Sequence, residues 1–500
     1  MKVGIIGGGA SGIMSAIAIS KKAKDLKLND ISITIHESND VLGKKILASG
    51  NGQCNLTNKS ISINNYQSSN KSILSKILNS FTYDDCINIW REFGLLTVDE
   101  KGWVYPNTKQ SKTVVSILER ELDRYNIKIK YNSLVEKVEY NNKTFTLKCT
   151  DKIMTEVSKS KPDFKNEDKN KSKKTITMTN TYEYNRLIIS TGGQGSAVKG
   201  SNGSGYIFAR KLGHKITQVL PGLVGLKTSG LNTSGIKSFR IISKLKFTHI
   251  YDENFPKEDF DYLENNDEII ITKLENSFQV EVKGEVQITY YGISGIPVFQ
   301  LSTFISKILS KDKTIDITID FLPDFSKEYI VEFLLMAYWN NPIISLKELL
   351  KGLFPEELID IIFVNENNRY KNKLNDQLKK ELDFIKDDIN KPLVELYKLK
   401  VKDIVLDEYN IAIFISDIIG KFKNFNISVY DTNGFKNAQG CLGGISLEDI
   451  NPKNMESKII KGLYFGGEVT DVLGQCGGYN LHYAWATGNI IGDNFFEEMN

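Results

Sequence analysis

The sequence predicts an α/β fold whose main parallel sheet is assembled from both ends of the 500-residue chain. Three stretches carry this prediction, at residues 1–37, 186–193 and 462–492. Each contains a short apolar run, typical of a buried strand, that stops at glycines. Parallel strands end together at one edge of a sheet, and such folds bind nucleotides at that edge. We therefore expect the three groups of glycines to lie close together.

The first stretch predicts a strand, a glycine turn and an amphipathic helix, the order found in a Rossmann-like domain. Gly7 permits the tight turn, Gly9 lets backbone N–H groups approach a pyrophosphate, and Gly12 lets the helix pack against the strand. The positive end of the helix, which begins with Ala10 and Ser11, then faces the phosphates. The pattern favours nucleotide binding over a plain glycine turn.

A second strand of alternating isoleucines follows and ends at Glu37, just before Ser38. A carboxylate at this position accepts hydrogen bonds from ribose hydroxyls. It favours FAD or NAD over a cofactor with a 2′-phosphate, because the phosphate would be repelled.

The second stretch is an apolar strand that stops at Thr191, Gly192 and Gly193. Glycines there let the backbone come close to a ligand. An ordinary strand-to-loop glycine pair is the alternative.

The third stretch predicts a strand, a glycine hinge and a second helix. The hinge carries Gly467, Glu468 and Asp471, then Gly477 and Gly478, and the helix opens with Tyr479, Asn480 and Leu481. In a flavoprotein this helix end faces the pyrimidine side of the isoalloxazine ring, where negative charge collects on reduction. Together, the three stretches predict an FAD-binding domain.

The residue sequences of these motifs resemble those of a bacterial flavoprotein family. The family is called YhiN-type, BaiN-type or aminoacetone-oxidase-like NAD(P)/FAD-dependent oxidoreductases. Residues 43–58 look like its second motif, and residues 291–295 and 467–480 look like two more. The similarity runs from residue 1 to about residue 492. It implies a glutathione-reductase-type FAD domain with an inserted β-barrel-like domain and a small helical domain. Further FAD contacts are expected at Lys44, Lys45, Ser49, Gly50, Asn51, Gly52, Cys54, Asn55, Thr57 and Val135.

Three positions depart from the family pattern. Gln53 stands where the family commonly has arginine, and Tyr290 stands where it has histidine. Ile296 separates Gly295 from the proline that often follows it directly. An arginine anchor for an anion and a histidine that handles a proton are therefore in doubt here.

The domain prediction follows from the position of the flavin motifs at both chain ends. Residues 1–205 and 441–500 are expected to bind FAD, residues 206–325 and 423–440 to form the β-barrel-like domain, and residues 326–422 to be helical. Strands are predicted at 269–271, 278–282, 286–290 and 315–319, and a helix start at Pro355. The Lys-rich insertion 151–174 is expected to be disordered, with an RNA-binding arm as the alternative.

Composition narrows the class of protein. Hydrophobic residues make up 41% of the chain, and no run of 18 apolar residues suggests a membrane span. The net charge of +3 is too small to indicate a nucleic-acid partner. The five cysteines are odd in number and never spaced C-x-x-C, so we expect a cytoplasmic protein with no metal site and no dithiol disulfide chemistry. Oligomeric state is left open.

The candidate proton donors are His482, Cys54, Cys476 and Tyr290. His482 lies on the helix beside the expected flavin, and the two cysteines lie in flavin-contacting loops. Each has an ordinary alternative as a packed core residue.

Three functions fit the pattern. No second dinucleotide fingerprint follows the first, so NAD(P)H is expected to enter the substrate cleft, reduce FAD and leave, which predicts ping-pong kinetics. The family resemblance implies, as the preferred function, an NAD(P)H-driven reductase of an activated C=C bond. Uracil of ribosomal RNA, giving dihydrouridine, is the preferred substrate, and an enone is the other. The alternatives are an oxidase of a small amine such as aminoacetone, using O₂, and a flavin-bearing binding module without turnover, for example on RNA.

Overall fold

The computed structural model describes residues 1–158, 171–195, 201–231, 237–252, 269–311, 314–341, 344–371 and 408–497. Its strands are β1 Lys2–Ile6, β2 Ser32–His36, β3 Thr57–Asn58, β4 Tyr66–Gln67, β5 Thr97–Glu100, β6 Trp103–Pro106, β7 Lys128–Lys130, β8 Ser133–Asn141, β9 Thr144–Ser158, β10 Lys171–Tyr184, β11 Arg186–Ile189, β12 Leu220–Gly222, β13 Leu226–Ser229, β14 Phe239–Ile250, β15 Ile269–Lys273, β16 Ser277–Thr289, β17 Gly292–Ser294, β18 Ile315–Asp320, β19 Phe425–Thr432, β20 Gly440–Leu442, β21 Leu463–Phe465 and β22 Leu473–Gly474.

The helices are α1 Ala10–Asp25, α2 Lys44–Ala48, α3 Lys71–Asn79, α4 Tyr83–Glu92, α5 Ser111–Arg124, α6 Ser204–Lys211, α7 Ile296–Leu309, α8 Lys327–Asn340, α9 Leu346–Leu350, α10 Glu356–Lys371, α11 Glu408–Lys423 and α12 Tyr479–Asp493. The chain forms two compact units. Unit 1 contains residues 1–222 and 435–500, and unit 2 contains residues 223–434.

The central sheet of unit 1 confirms the predicted Rossmann-like fold built from both chain ends. Its five strands are parallel, in the order β21-β11-β1-β2-β7. Strand β21, from the end of the chain, pairs with β11 through Leu463 and Leu187. Val3, Ile5 and Ile188 are fully buried. The apolar runs predicted as strands therefore form the core of this unit.

Helices α1 and α12 cross in close contact in unit 1. A Cβ atom on Gly488 would lie 2.7 Å from the Cβ of Met14, and one on Gly492 would lie 2.2 Å from the Cβ of Ala18. Glycine is therefore needed at both positions, because any larger residue would push the helices apart.

The antiparallel sheet β10-β9-β8 takes in part of the Lys-rich insertion. Ser158 pairs with Lys171, and the ladder continues through Asp151 and Met178. The prediction of disorder is therefore wrong for residues 151–158 and 171–174. Residues 151–158 contain the β-branched Ile153, Thr155 and Val157, which favour a strand, and residues 171–174 pair with the end of that strand. Residues 159–170 lie outside the described part of the chain.

Unit 2 contains the β-barrel that the family resemblance implies. Six antiparallel strands follow one another as β14-β18-β19-β13-β17-β16, and pairing of β14 with β16 closes the ring. Strand β15 pairs with β16 outside the ring. Residues 278–282 and 286–290 were predicted as two strands, but residues 278–289 lie in the single strand β16, which ends at Thr289. Gly284 stays paired with Ser243, so the ladder continues through it.

The helices of unit 2 share one core with the barrel. The rings of Phe354 and Phe422 stack at 4.0 Å between centroids, and both residues belong to the same cluster as Phe247 and Ile317 of the barrel. Pro355 directly precedes α10, at the predicted helix start. The division of the chain into three domains stays a prediction. Within the described ranges, no helix combines the length and the apolar character that a membrane span requires.

Candidate functional site

The turn between β1 and α1 has the geometry that its glycines predict. Gly7 has a φ of +103°, and its N–H donates to the carbonyl of His36 at 2.9 Å. A Cβ atom on Gly12 would lie 2.1 Å from the carbonyl oxygen of Gly7. A Cβ on Gly9 would meet no atom of the described residues within 4 Å. The backbone at Gly9 is therefore open to an incoming group, while the turn around it is closed.

Glu37 is held by backbone and side-chain donors. Its Oε2 accepts from the Gly8 N–H at 2.8 Å, and its Oε1 accepts from the N–H and the Nδ2 of Asn39 at 2.8 and 2.7 Å. A carboxylate has more lone pairs than these bonds occupy, so ribose hydroxyls could still bind. The Glu37 carbonyl also accepts from the Ser133 N–H, which fixes strand β8, where Val135 lies at a bulge, beside this residue.

The loop after α2 contains four residues with a positive φ angle. Gly50, Asn51, Gly52 and Cys54 all have φ between +54° and +84°. Non-glycine residues seldom adopt such angles, and those that do are held by surrounding structure, often at functional sites. Here the N–H of Cys54 donates to the carbonyl of Ser49 at 3.1 Å and closes the loop.

The side chain of Lys45 contacts both the third stretch and the loop that follows the second stretch. Its ammonium group forms an ion pair with Glu468 Oε2 and donates to the carbonyl of Gly195 at 3.2 Å. A Cβ on Gly193 would lie 2.8 Å from Glu468 Oε1 and 3.2 Å from Cys441 Sγ. The structure thus brings together the Thr191–Gly193 turn and Glu468, which the sequence pattern places at one sheet edge, and Lys45, which the family resemblance adds.

Two residues at this edge were missed by the sequence analysis. Cys441 accepts a hydrogen bond from the Gly195 N–H at 2.8 Å, and burial raises the pKa of its thiol to about 12. Thr487 accepts from the Gly467 N–H at 2.9 Å and lies 3.2 Å from Ser11 Oγ. Neither belongs to a motif, so no local signal marks them; only the long-range packing does.

The start of α12 is fixed by amide side chains. Gly477 and Gly478 have φ of +118° and +95°. Asn58 Nδ2 donates to the Gly477 carbonyl at 2.9 Å, while Asn480 accepts from the Gly474 N–H and donates to the Gly474 carbonyl, both at 2.8 Å. Asp471 accepts from the Ser69 N–H at 3.0 Å. The helix begins at Gly478 without a side-chain cap.

Asn55 packs against this helix start. The residue is 6% exposed, and neither Nδ2 nor Oδ1 has a hydrogen-bond partner within the described residues. Its Oδ1 lies 2.7 Å from where a Cβ on Gly478 would be. The open backbone at Gly9 and the fixed carboxylate of Glu37 fit a dinucleotide such as FAD.

The four candidate proton donors have different surroundings. His482 is fully buried: its Nδ1 lies 2.8 Å from Thr57 Oγ1, its Nε2 lies 3.3 Å from the Phe81 carbonyl, and burial lowers its pKa to about 4. Cys54 is also fully buried, and burial raises its pKa to about 12. Cys476 is partly exposed. Tyr290 belongs to unit 2 and is 81% exposed. Their catalytic roles stay predictions.

Comparisons with known proteins agree with this geometry. Residues 1–160 and 150–494 match the family described as HI0933-like protein Rossmann domain. The chain is 31% identical over 491 residues to the 3-dehydro-bile acid delta(4,6)-reductase of Clostridium scindens, covering 98% of each chain. It is 26% and 23% identical to the ribosomal RNA dihydrouridine synthases of Haemophilus influenzae and Escherichia coli, covering 97% of this chain and 95% of each relative. The resemblance stated from the motifs is confirmed, and the chain belongs to the HI0933-like family of FAD-dependent oxidoreductases with a Rossmann-like fold.

Proposed function

We propose that the three glycine stretches of unit 1 hold FAD, with the diphosphate at the turn before α1, the adenosine ribose at Glu37 and the ring at the start of α12. The open backbone at Gly9 supports the first assignment, since N–H groups at a helix start bind anions. The carboxylate of Glu37, held in place by Gly8 and Asn39, supports the second. The start of α12 has no side-chain cap, so its first N–H groups can donate to a ring carbonyl, which supports the third. FAD, when bound, supplies a two-electron carrier that accepts and delivers hydride.

The enzyme is further proposed to use NAD(P)H to reduce a C=C bond conjugated to a carbonyl. The observation that carries this is the likeness, over nearly the whole chain, to relatives named as a delta(4,6)-reductase and as dihydrouridine synthases. Both names denote the addition of hydrogen across a ring double bond. The higher identity to the bile-acid reductase and the net charge of only +3 favour a small enone over ribosomal RNA, which the family resemblance alone made the preferred substrate.

The protein must also supply a proton to the carbon next to the carbonyl. Of the three candidates in unit 1, Cys54 and His482 are fully buried, whereas Cys476 is partly exposed. Cys476 also directly precedes the glycines that lead into α12. A donor that meets substrate has to reach the surface of its pocket, so Cys476 is the preferred donor.

Anaerobic stopped-flow spectroscopy tests this proposal in two half-reactions. The yellow enzyme is mixed with NADH, NADPH or aminoacetone while flavin absorbance is followed. After bleaching, it is mixed with a steroid 4,6-dien-3-one or with ribosomal RNA. Bleaching by a pyridine nucleotide and recovery with the dienone are expected. Bleaching by aminoacetone alone would make the enzyme an amine oxidase, and recovery with RNA alone would restore RNA as the substrate.

Replacement of the donor separates the two half-reactions. In Cys476→Ser, bleaching by the pyridine nucleotide should keep its wild-type rate, because no proton is delivered to carbon in that step. Recovery with the dienone should slow at least tenfold, within the range that general acids contribute. Equal recovery rates in variant and wild type would show that Cys476 is not the donor.

A further inference from the structure

Two tryptophans of unit 1 have different surroundings. Trp485 is fully buried, its N–H donates to the Leu56 carbonyl at 3.1 Å, and its ring packs edge-on against Trp90 at 5.2 Å between centroids. Trp103 on β6 is partly exposed. Its indole N–H has no acceptor within the described residues, and Nε1 keeps accessible surface. A ligand can therefore reach the N–H of Trp103, whereas that of Trp485 is occupied by the protein.

Trp103 lies against the loop that leads into α12. Its Cε2 atom, to which Nε1 is bonded, lies 3.2 Å from where a Cβ on Gly477 would be. Two contacts fix this arrangement, since Asn58 is opposite Trp103 in the pairing of β3 with β6, and its Nδ2 donates to the Gly477 carbonyl at 2.9 Å. Gly477 directly follows Cys476, the proposed proton donor. An accessible N–H and a proton donor thus lie beside the same turn of the chain.

The chemistry of an indole N–H limits what Trp103 can do for a ligand. The group donates a hydrogen bond but accepts none, and it is not an acid at ordinary pH. It therefore cannot deliver the proton that the reaction needs. It suits an oxygen on which negative charge develops, because a fixed donor aimed at such an oxygen stabilises the charge.

Reduction of a conjugated C=C bond creates such an oxygen. Hydride that derives from NAD(P)H forms a C–H bond at the β carbon, and the C=C electron pair moves toward the carbonyl, whose oxygen becomes an enolate. A proton from the Cys476 thiol then adds at the α carbon, the carbonyl forms again and a thiolate remains. Because the α carbon and the oxygen are close neighbours in the substrate, their two donors must also be neighbours in the protein. Trp103 and Cys476, which meet at Gly477, fulfil this condition.

We propose that Trp103 is a substrate-binding residue that donates its indole N–H to the carbonyl oxygen of the conjugated substrate, while Cys476 supplies the proton to the neighbouring carbon. The inference rests on the proposed reductase function. It adds the residue that recognises the carbonyl, so a compound without this oxygen should bind more weakly even when no hydride is transferred.

Paired ligands test this contact in the oxidised holoenzyme without NAD(P)H, so that no turnover occurs. A steroid 4,6-dien-3-one and its analogue without the 3-oxo group are titrated by calorimetry into wild type and Trp103→Phe. The wild type should bind the ketone about fivefold to tenfold more tightly than the analogue, as one net hydrogen bond allows. Trp103→Phe keeps an aromatic ring but lacks the N–H. It should therefore discriminate less than twofold and bind the analogue as tightly as wild type does.

The outcomes separate the role of Trp103 from the proposed function. Equal discrimination by the two proteins, including none by either, would reject the contact and leave the enone as substrate. Equal weakening of both ligands in Trp103→Phe would indicate a general loss of packing and would also reject the contact. Failure of wild type to bind either steroid would overturn the proposed enone substrate, and this inference with it.

The rate of the second half-reaction gives a further readout. Charge on the oxygen grows during hydride transfer, so the donor should matter more for the rate than for binding. Recovery of flavin absorbance at saturating dienone should therefore slow at least tenfold in Trp103→Phe. Recovery at the wild-type rate would show that Trp103 does not donate to the developing charge.

Thermal unfolding separates ligand recognition from a structural role. Trp103→Phe should melt at the wild-type temperature, because its N–H has no acceptor within the described residues. The matched variant Trp485→Phe should melt several degrees lower, because it breaks a buried hydrogen bond and leaves a cavity. A fall for Trp103→Phe equal to that for Trp485→Phe would mark Trp103 as structural and overturn the proposal.

Discussion

Helices α1 and α12 both begin at a glycine without a side-chain cap, but the surroundings of the two starts differ. At Gly9 a Cβ atom would meet nothing within 4 Å among the described residues. At Gly478 a Cβ would lie 2.6 Å from the Thr57 carbonyl oxygen and 2.7 Å from Asn55 Oδ1. Glycine leaves space for a ligand at the first start, and it permits close packing of the protein itself at the second.

Helix α4 shows what an ordinary start looks like in the same unit. Thr82 accepts from the N–H of Asp85, and the Asp85 carboxylate accepts from the N–H of Thr82, so side chains satisfy the first turn. The starts of α1 and α12 lack this arrangement. The comparison teaches that one sequence feature, a glycine at a helix start, leaves open space in one place and permits close packing of the protein in the other.

The largest effect is expected from Gly478→Ala. The residue has a φ of +95°, and the new Cβ would overlap the backbone of Thr57. Strain in the left-handed conformation and the overlap together should lower the free energy of unfolding by about 2–5 kcal/mol, measured by urea denaturation. The control Gly94→Ala has a φ of +74° and open space around its Cβ position, so it should lose only about 1 kcal/mol. Equal losses would show that the start of α12 is not closely packed.

A smaller effect is expected from the protonation of His482, which lies one helical turn into α12 and makes the free energy of unfolding depend on pH. Burial lowers its pKa from an ordinary 6.5 to about 4, so the unfolded chain binds a proton between these values and the folded protein does not. Its contribution to stability is complete above pH 6.5 and is lost as the pH falls toward 4. Between pH 7 and 5 the loss should be about 2 kcal/mol.

Comparison with His482→Gln isolates this group, because burial also lowers the pKa of His36 to about 4. The free energy of unfolding of the variant should fall by about 2 kcal/mol less than that of wild type between pH 7 and 5. Identical pH profiles would mean that the imidazole is accessible to protons in the folded protein. In that case His482 would regain its place as a proton donor.

Some elements of the fold follow from local sequence patterns, and others do not. A local pattern predicts the strand at residues 2–6 and the helix that begins at Ala10. The apolar run and the glycine spacing that indicate them extend over only a few neighbouring residues. The unbroken strand β16 was not predicted, since the pattern gave separate strands at 278–282 and 286–290, whereas β14 pairs with the residues between them. Local signals cannot report such a partner strand.

The residues of the candidate site also fall into those that local sequence signals predict and those that depend on long-range contacts. The glycines, Glu37 and Glu468 could be predicted, because the fold requires them at fixed places along the chain. The difference between Asn55 and Asn58 could not, since both are asparagines of one motif and the contacts that distinguish them include partners more than 400 positions away, Gly477 for Asn58 and Gly478 for Asn55. The same holds for Cys441, whose partner Gly195 is 246 positions distant.

The smallest effect, and the one that tests the open start directly, is expected from Gly9→Ala. Gly9 has a φ of −89° and a ψ of −173°, which alanine adopts without strain, so the free energy of unfolding without FAD should change by less than about 0.5 kcal/mol. The new methyl group would occupy the space that the diphosphate needs. Loss of one hydrogen bond to a charged group should weaken FAD binding about tenfold, or about 1.4 kcal/mol.

Gly9→Ala and Gly478→Ala should therefore lose different properties, FAD affinity in the first variant and folding stability in the second. The first keeps its stability and loses affinity for FAD, whereas the second loses stability before any ligand is added. Urea denaturation without FAD and fluorescence titration with FAD, applied to both variants, measure the two effects separately. If Gly9→Ala bound FAD as tightly as wild type, the space at the start of α1 would not be the diphosphate site. The anion would then have to be held by the N–H groups of another turn.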